Sequence, residues 1–221
     1  MRRAAPLVLA TVCLLPACSQ ATAPSSREQL IGLVEEGPLV VFLGDSITAG
    51  MGVAGEEAFP AVVAELLREE DLPIRALNAG VSGDTAAGGL SRLDPILEQR
   101  PDVLVVELGA NDALRGRPVL EIEEALRAIV GRAREADAEV LLLGMQVPPA
   151  LGSGYAESFS GMYRRIAGDM DVSLVESFLE GVGGRRSMNQ VDGIHPNAEG
   201  HRRLASNVSE PLQEIVEAIG R

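Results

Sequence analysis

Lysine is absent from the 221-residue sequence and cysteine occurs only twice, and each scarcity removes a class of function. Cys13 and Cys18 both precede residue 19, so the rest of the chain can form neither a disulfide nor a thiolate metal site, and structural zinc is close to excluded. Without lysine no GxxxxGK[ST] phosphate loop can be built. GxSxG is also missing, which argues against the nucleophile elbow of the α/β-hydrolases. No basic run occurs either. Nineteen arginines face 32 acidic residues, and the formal net charge of −13 argues against a nucleic-acid surface and against steering toward anionic lipid headgroups.

With 46% hydrophobic residues, the chain suits one well-filled domain. Its N-terminus reads as an address. Arg2 and Arg3 precede an apolar stretch from Ala4 to Leu15, the order of a secretory signal, and that stretch is shorter than the ~20 residues that span a bilayer. It ends Leu15-Pro16-Ala17-Cys18-Ser19, which resembles a bacterial lipobox with Cys18 as the lipidated first residue of the mature chain. The rival is soluble export cut after Ala21-Thr22-Ala23, where the following Pro24 makes a poor site. The expected organisation is a signal over residues 1–17, a flexible tether over 18–36 and a domain over 37–221, anchored by lipid in a bacterial envelope and facing the periplasm.

Beyond the tether, apolar runs at Leu39–Leu43, Val103–Leu108 and Val140–Met145, with weaker ones at Ile74–Asn78 and Val172–Val175, read as strands buried on both faces. Between them lie helical faces: Phe59, Val62, Val63, Leu66 and Leu67 in one, Ile122, Leu126, Ile129, Val130 and Ala133 in another. The second has acids early and arginines late, as the helix dipole prefers. A further stripe through Leu204, Val208, Leu212 and Val216 runs to the end, with Pro211 expected to kink or split it. Such alternation indicates a parallel sheet between layers of helices, and no repeat interrupts it.

Ligands bind such sheets at the carboxyl ends of the strands, so the turns there are the ones to read. They are Gly44-Asp45-Ser46, Asn78-Ala79-Gly80-Val81-Ser82-Gly83-Asp84-Thr85, Gly109-Ala110-Asn111-Asp112 and, near the C-terminus, Asp192-Gly193-Ile194-His195-Pro196-Asn197. Each has a bland explanation. Ser46, Asn111 or Asp112 could cap a helix, and the glycines could serve turns of positive φ. His201 reads as a surface residue without a partner. A metal site from Asp84, Asp192 and His195 is conceivable, but no His pair at ligand spacing supports it.

Together the blocks "GDSITAG", "NAGVSGDT", "GANDALRG" and "DGIHPN" resemble, in order and spacing, those of the SGNH hydrolases, also called GDSL esterases and lipases, from about Leu39 to the last helix. Ile47 stands where the shorthand name has leucine. The "ELGANDALRG" and "SGDT" forms look closest to the bacterial periplasmic branch with thioesterase, lysophospholipase and arylesterase activities. The resemblance implies a three-layer α/β/α sandwich, flavodoxin-like, on a five-stranded parallel sheet. It also implies oxyanion donors at the backbone N–H of Ser46, the backbone N–H of Gly83 and the side-chain amide of Asn111. Chemistry supplies the remaining roles. Ser46 needs a base, His195 has the right intrinsic pKa, and Asp192 can fix its tautomer.

The expected function is therefore a cofactor-free serine esterase working through an acyl-enzyme on carboxylic esters or thioesters, with lysophospholipids or other envelope acyl esters as substrates. Alternatives are a carbohydrate acetylesterase and a non-catalytic envelope lipoprotein on the same fold, which loss of Ser46 or His195 would have favoured. Pocket walls are expected from residues 112–117 and 147–155.

Overall fold

The computed structural model describes residues 37–147 and 149–220. The expected signal segment, Cys18 and the expected tether to residue 36 lie outside the described residues. The five apolar runs form strands β1 (Leu39–Gly44), β2 (Arg75–Gly80), β3 (Val103–Glu107), β4 (Glu139–Leu143) and β5 (Ser173–Val175). They pair in the order β2-β1-β3-β4-β5, every neighbour parallel. In the central strands, alternate residues feed opposite cores. Val41, Leu43, Leu104 and Val106 join one, while Val40, Phe42, Val103 and Val105 join the other. Burial on both faces is why these strands read as unbroken apolar runs.

Eight helices connect and cover the sheet among the described residues: α1 (Ser46–Ala49), α2 (Phe59–Glu69), α3 (Ala86–Ser91), α4 (Asp94–Leu97), α5 (Ala110–Leu114), α6 (Val119–Glu135), α7 (Ser153–Met170) and α8 (Ala198–Ile219). On one face α2 and α8 bury Phe59, Val63 and Leu67 with Leu204, Val208 and Leu212. On the other, α3, α4, α6 and α7 contribute residues such as Ala86, Ile96, Leu126 and Phe159. The expected three-layer sandwich is present. Helix α6 carries Glu121 in its first turn and Arg132 and Arg134 in its last, complementing its dipole.

Two expectations on α8 need correction. The helix runs unbroken through Pro211, so the chain is not split there; the packed stripe from Leu204 to Val216 outweighs the one backbone hydrogen bond that proline removes. His201 is not on the surface. It precedes Leu204 by three positions, shares the buried stripe, is wholly inaccessible, and its Nδ1 accepts the backbone N–H of Phe59 at 3.2 Å.

From β1 the chain moves outward to β2 and then crosses back over β1 to β3. The loops after β1 and β3 therefore diverge and leave a crevice at the carboxyl edge of the sheet. Ser46 follows β1 and Asn111 follows β3, so both stand at that crevice.

Candidate active site

Strand β1 ends at Gly44, and Asp45 caps α1 by accepting the Ile47 N–H on Oδ1 at 2.9 Å. The cap is thus Asp45 and not Ser46. Ser46 takes the first helical position, where its own N–H has no acceptor within the helix. Its side chain is left for a different partner: Ser46 Oγ lies 3.0 Å from Nε2 of His195, 149 residues away in the chain. Helix α1 sits directly on the strand ends, and glycine is needed there for close approach. A Cβ at Gly80 would fall 2.2 Å from the backbone nitrogen of Ala49.

The second half of the line comes from the loop before α8. Nδ1 of His195 lies 2.7 Å from Oδ2 of Asp192, whose other oxygen accepts the backbone N–H groups of Ile194 and His195 at 2.9 and 3.0 Å. The hydrogen bond with His195, and then those two N–H groups, hold the Asp192 carboxyl at about 2, well below the usual range. An ionised Asp192 keeps the imidazole proton on Nδ1 and turns the Nε2 lone pair toward Ser46. Gln190 fixes this loop to the one following α1, because its Nε2 donates to the carbonyls of Met51 at 2.7 Å and Pro196 at 2.9 Å.

Asn111 lies in the first turn of α5 and caps nothing. Gly109, at φ 116°, is the residue that caps that helix. Asn111 Nδ2 donates to Asp45 Oδ2 at 2.8 Å, which orients the amide beside the turn that carries Ser46. Asp112, the other cap expected there, instead accepts the N–H of Ala86 at 2.9 Å and so ties α5 to the start of α3. Gly83 occupies the turn after β2 with φ 81°, and its carbonyl accepts from Arg115 at 3.0 Å. A Cβ there would meet only that arginine, at 3.8 Å, so glycine serves the positive φ. Asp84 pairs with Arg92 at 2.7 Å, and the same guanidinium also donates to the carbonyls of Ala79 and Gly44. Asp84 is thereby committed elsewhere than Asp192 and His195. Among the described residues no three metal-ligating side chains cluster.

Beneath Ser46 lies an acidic pair that sequence reasoning missed. Glu107 ends β3 wholly buried, and its Oε2 accepts from the N–H of Asp45 at 3.2 Å, the N–H of Thr48 at 3.3 Å and the Thr48 hydroxyl at 2.7 Å. Its Oε1 is buried without a partner. Burial, and after it the charge of Asp45, push the Glu107 carboxyl well above the usual range, so it is the member of the pair that keeps its proton. Burial also raises Asp45, opposed by the Ile47 N–H and by hydrogen bonds with Glu107 and Asn111. The available signal was an acid closing a strand that is otherwise entirely apolar.

Beside Ser46 opens a cavity of about 810 Å3, lined by Ile47, Ala110, Leu114, Val147, Leu179 and Ile194 among others. Leu114 and Val147 belong to the walls expected from sequence. The segment from Ser177 to Arg185, which supplies much of the remainder, carried no motif and was not anticipated.

A parallel sheet with a serine, histidine and aspartate in line at its carboxyl edge defines a class, and the chain belongs to it: the GDSL-like lipase/acylhydrolase family model matches residues 42–203. Among particular relatives, the chain is 42% identical over 178 residues to the esterase TesA of Pseudomonas aeruginosa, covering 80% of this chain and 89% of that protein. It is 36% identical over 178 residues to the thioesterase 1/protease 1/lysophospholipase L1 of Escherichia coli strain K12, covering 80% and 84%. A crystal structure of TesA, 42% identical, superposes with a TM-score of 0.78 over 80% of this chain and 99% of that one.

Proposed function

We propose that this serine esterase hydrolyses acyl esters through an acyl-enzyme on Ser46, with His195 as general base and acid and Asp192 as its orienting partner. The observation that carries the reading is the continuous line from Ser46 Oγ to His195 Nε2 and from His195 Nδ1 to Asp192, opening beside an apolar cavity. His195 takes the hydroxyl proton as Oγ bonds to the acyl carbon, and returns it to the departing oxygen as the ester C–O bond breaks. Water, deprotonated by the same imidazole, then releases the acid and restores Ser46. Developing negative charge on the carbonyl oxygen is met by the N–H groups of Ser46 and Gly83 and by the Asn111 amide, one such donor being worth about 10²- to 10³-fold in rate.

The apolar lining of the cavity supports acyl chains over acetylated sugars, and the names of the two relatives support ester, thioester or lysophospholipid substrates. Export with lipidation at Cys18, and a domain beginning near residue 37, complete the proposal and rest on the lipobox-like sequence alone. Purified protein should hydrolyse short p-nitrophenyl esters and be inactivated by an organophosphonate that labels Ser46. Parental turnover in Ser46→Ala would overturn the assignment. Mass spectrometry of the mature chain should find an acylated N-terminus at Cys18, and an unmodified terminus at Pro24 would replace anchoring with soluble export.

A further inference from the structure

A second, more polar depression of about 420 Å3 adjoins the acyl cavity and is lined by Gly184, Arg185, Arg186, Gln190, Val191 and Gly193 among others. The two hollows share Gly184, Arg185, Asn189 and Gly193, and Gly193 stands two residues from His195. In a chain of net charge −13, most arginines are engaged: Arg92 by Asp84, Arg127 and Arg165 by Glu123, Arg132 by Asp94, Arg115 by the Gly83 carbonyl. The guanidinium groups of Arg185 and Arg186 make no hydrogen bond or ion pair among the described residues. Arg100 and Arg202 are likewise unpaired, but neither lines either hollow.

The backbone beneath the arginine pair is held firmly while the heads stay free. Buried Asn189 donates from Nδ2 to the carbonyls of Val182 and Arg185, both at 2.7 Å, and the Met188 N–H donates to the Arg185 carbonyl at 3.0 Å. The side-chain amides of Asn189 and Gln190 are spent on carbonyls, which leaves the guanidinium groups of Arg185 and Arg186 as the unpartnered side-chain donors among the residues lining the depression. Asp192 is turned to His195. Glu180 lines the acyl cavity but not the depression.

We propose that Arg185 and Arg186 form an anion subsite for the alcohol half of the substrate, and that the alcohol they select carries a phosphate ester. The proposal rests on the esterase reading above. The departing oxygen must receive its proton from His195, so the alcohol lies against the loop that carries His195, where the depression opens. The acyl chain fills the apolar end near Leu114 and Val147. Two adjacent guanidinium forks exceed what a single carboxylate can occupy and suit the several oxygens of a phosphate. Nothing in the bond-making steps changes: the serine–acyl bond forms, the ester C–O bond breaks, and the phosphorylated alcohol leaves with the proton from His195.

The test compares two monoacyl esters of the same chain length, one of glycerol and one of glycerol phosphate, both below their aggregation concentrations. kcat/KM is measured for the parent and for the Arg185→Gln, Arg186→Gln double variant, with thermal melting to verify folding. The parent should prefer the phosphate ester, and the double variant should lower that preference by at least about tenfold, mainly through KM. Inorganic phosphate is run in parallel as an inhibitor of glycerol-ester hydrolysis. An equal preference in parent and variant overturns the subsite. Inhibition by inorganic phosphate that vanishes in the variant without a change in ester preference assigns the arginines to free phosphate and also overturns it. A parent that cleaves neither ester and leaves Ser46 unlabelled by phosphonate overturns the esterase reading instead.

Discussion

At the residue scale, Glu107 gathers three hydrogen bonds on Oε2 and none on Oε1. A buried carboxylic acid tolerates that isolation far better than a buried carboxylate. Glu107→Gln should therefore keep more of the turnover and melting temperature than Glu107→Ala, because its amide oxygen replaces Oε2, while its NH2, set where Oε1 has no partner, costs part of the stability. Glu107→Ala should lose both, since each buried donor left unsatisfied costs about 1–3 kcal/mol. Measured turnover and melting of the two variants decide the matter, and a Gln variant as impaired as the Ala variant would mean that an ionised carboxylate is required. Asn111→Ala should lower kcat by about 10²- to 10³-fold with little change in KM. Asn111→Asp should be worse, because a carboxylate would face both Asp45 and the developing oxyanion; parental kcat in either variant would remove Asn111 from the oxyanion site. Ser46 and Asn111 were legible in the sequence because each sits in a short motif just after a strand, and Asp192 and His195 because they share one in the loop before α8. Glu107 and Asp45 were not, because their protonation depends on burial that no motif encodes. His201 had a usable signal in the period of the α8 stripe.

At the element scale, the seat of α1 on the ends of β1 and β2 depends on missing side chains. Gly80→Ala would drive a methyl into the backbone of Ala49, which has no flexible end to give way. It should lower both melting temperature and kcat by displacing Ser46 relative to His195. Gly55→Ala is the matched control, since a Cβ at Gly55 meets nothing within 4 Å, and it should stay within about 0.5 kcal/mol of the parent in stability. Calorimetry and ester turnover on both variants test this, and equal effects would mean that the close approach is unimportant. The central strands were legible because burial on both faces writes a continuous apolar run. β2 was weaker because it is an edge strand carrying Arg75 and Asn78, and α1, with four residues, is too short for a helical period to register.

At the scale of the whole molecule, His201 makes folding sensitive to mild acid. Burial, only partly opposed by the charge of Glu57, brings its pKa down from 6.5 to about 4. The unfolded chain then binds a proton at this site between about pH 6.5 and 4 that the folded chain refuses, so the stability it contributes is present above pH 6.5 and lost as pH falls through that window. The loss is on the order of 3 kcal/mol. Asp45, Glu107 and Asp112, whose carboxyls burial raises, pull the opposite way, so the comparison must be between proteins. The fall in melting temperature from pH 7 to pH 4.5 should be smaller in His201→Gln than in the parent, and identical falls would exonerate the histidine. The separation of 149 positions between Ser46 and His195 also bears on synthesis. On the proposed triad, a growing chain makes the Ser46 turn, the Gly83 turn and Asn111 long before the base, His195, whose loop is fixed by Asn197 at the start of the last helix. A product released early therefore holds a serine with nothing to deprotonate it, so incomplete translation yields inert fragments rather than poorly controlled hydrolases.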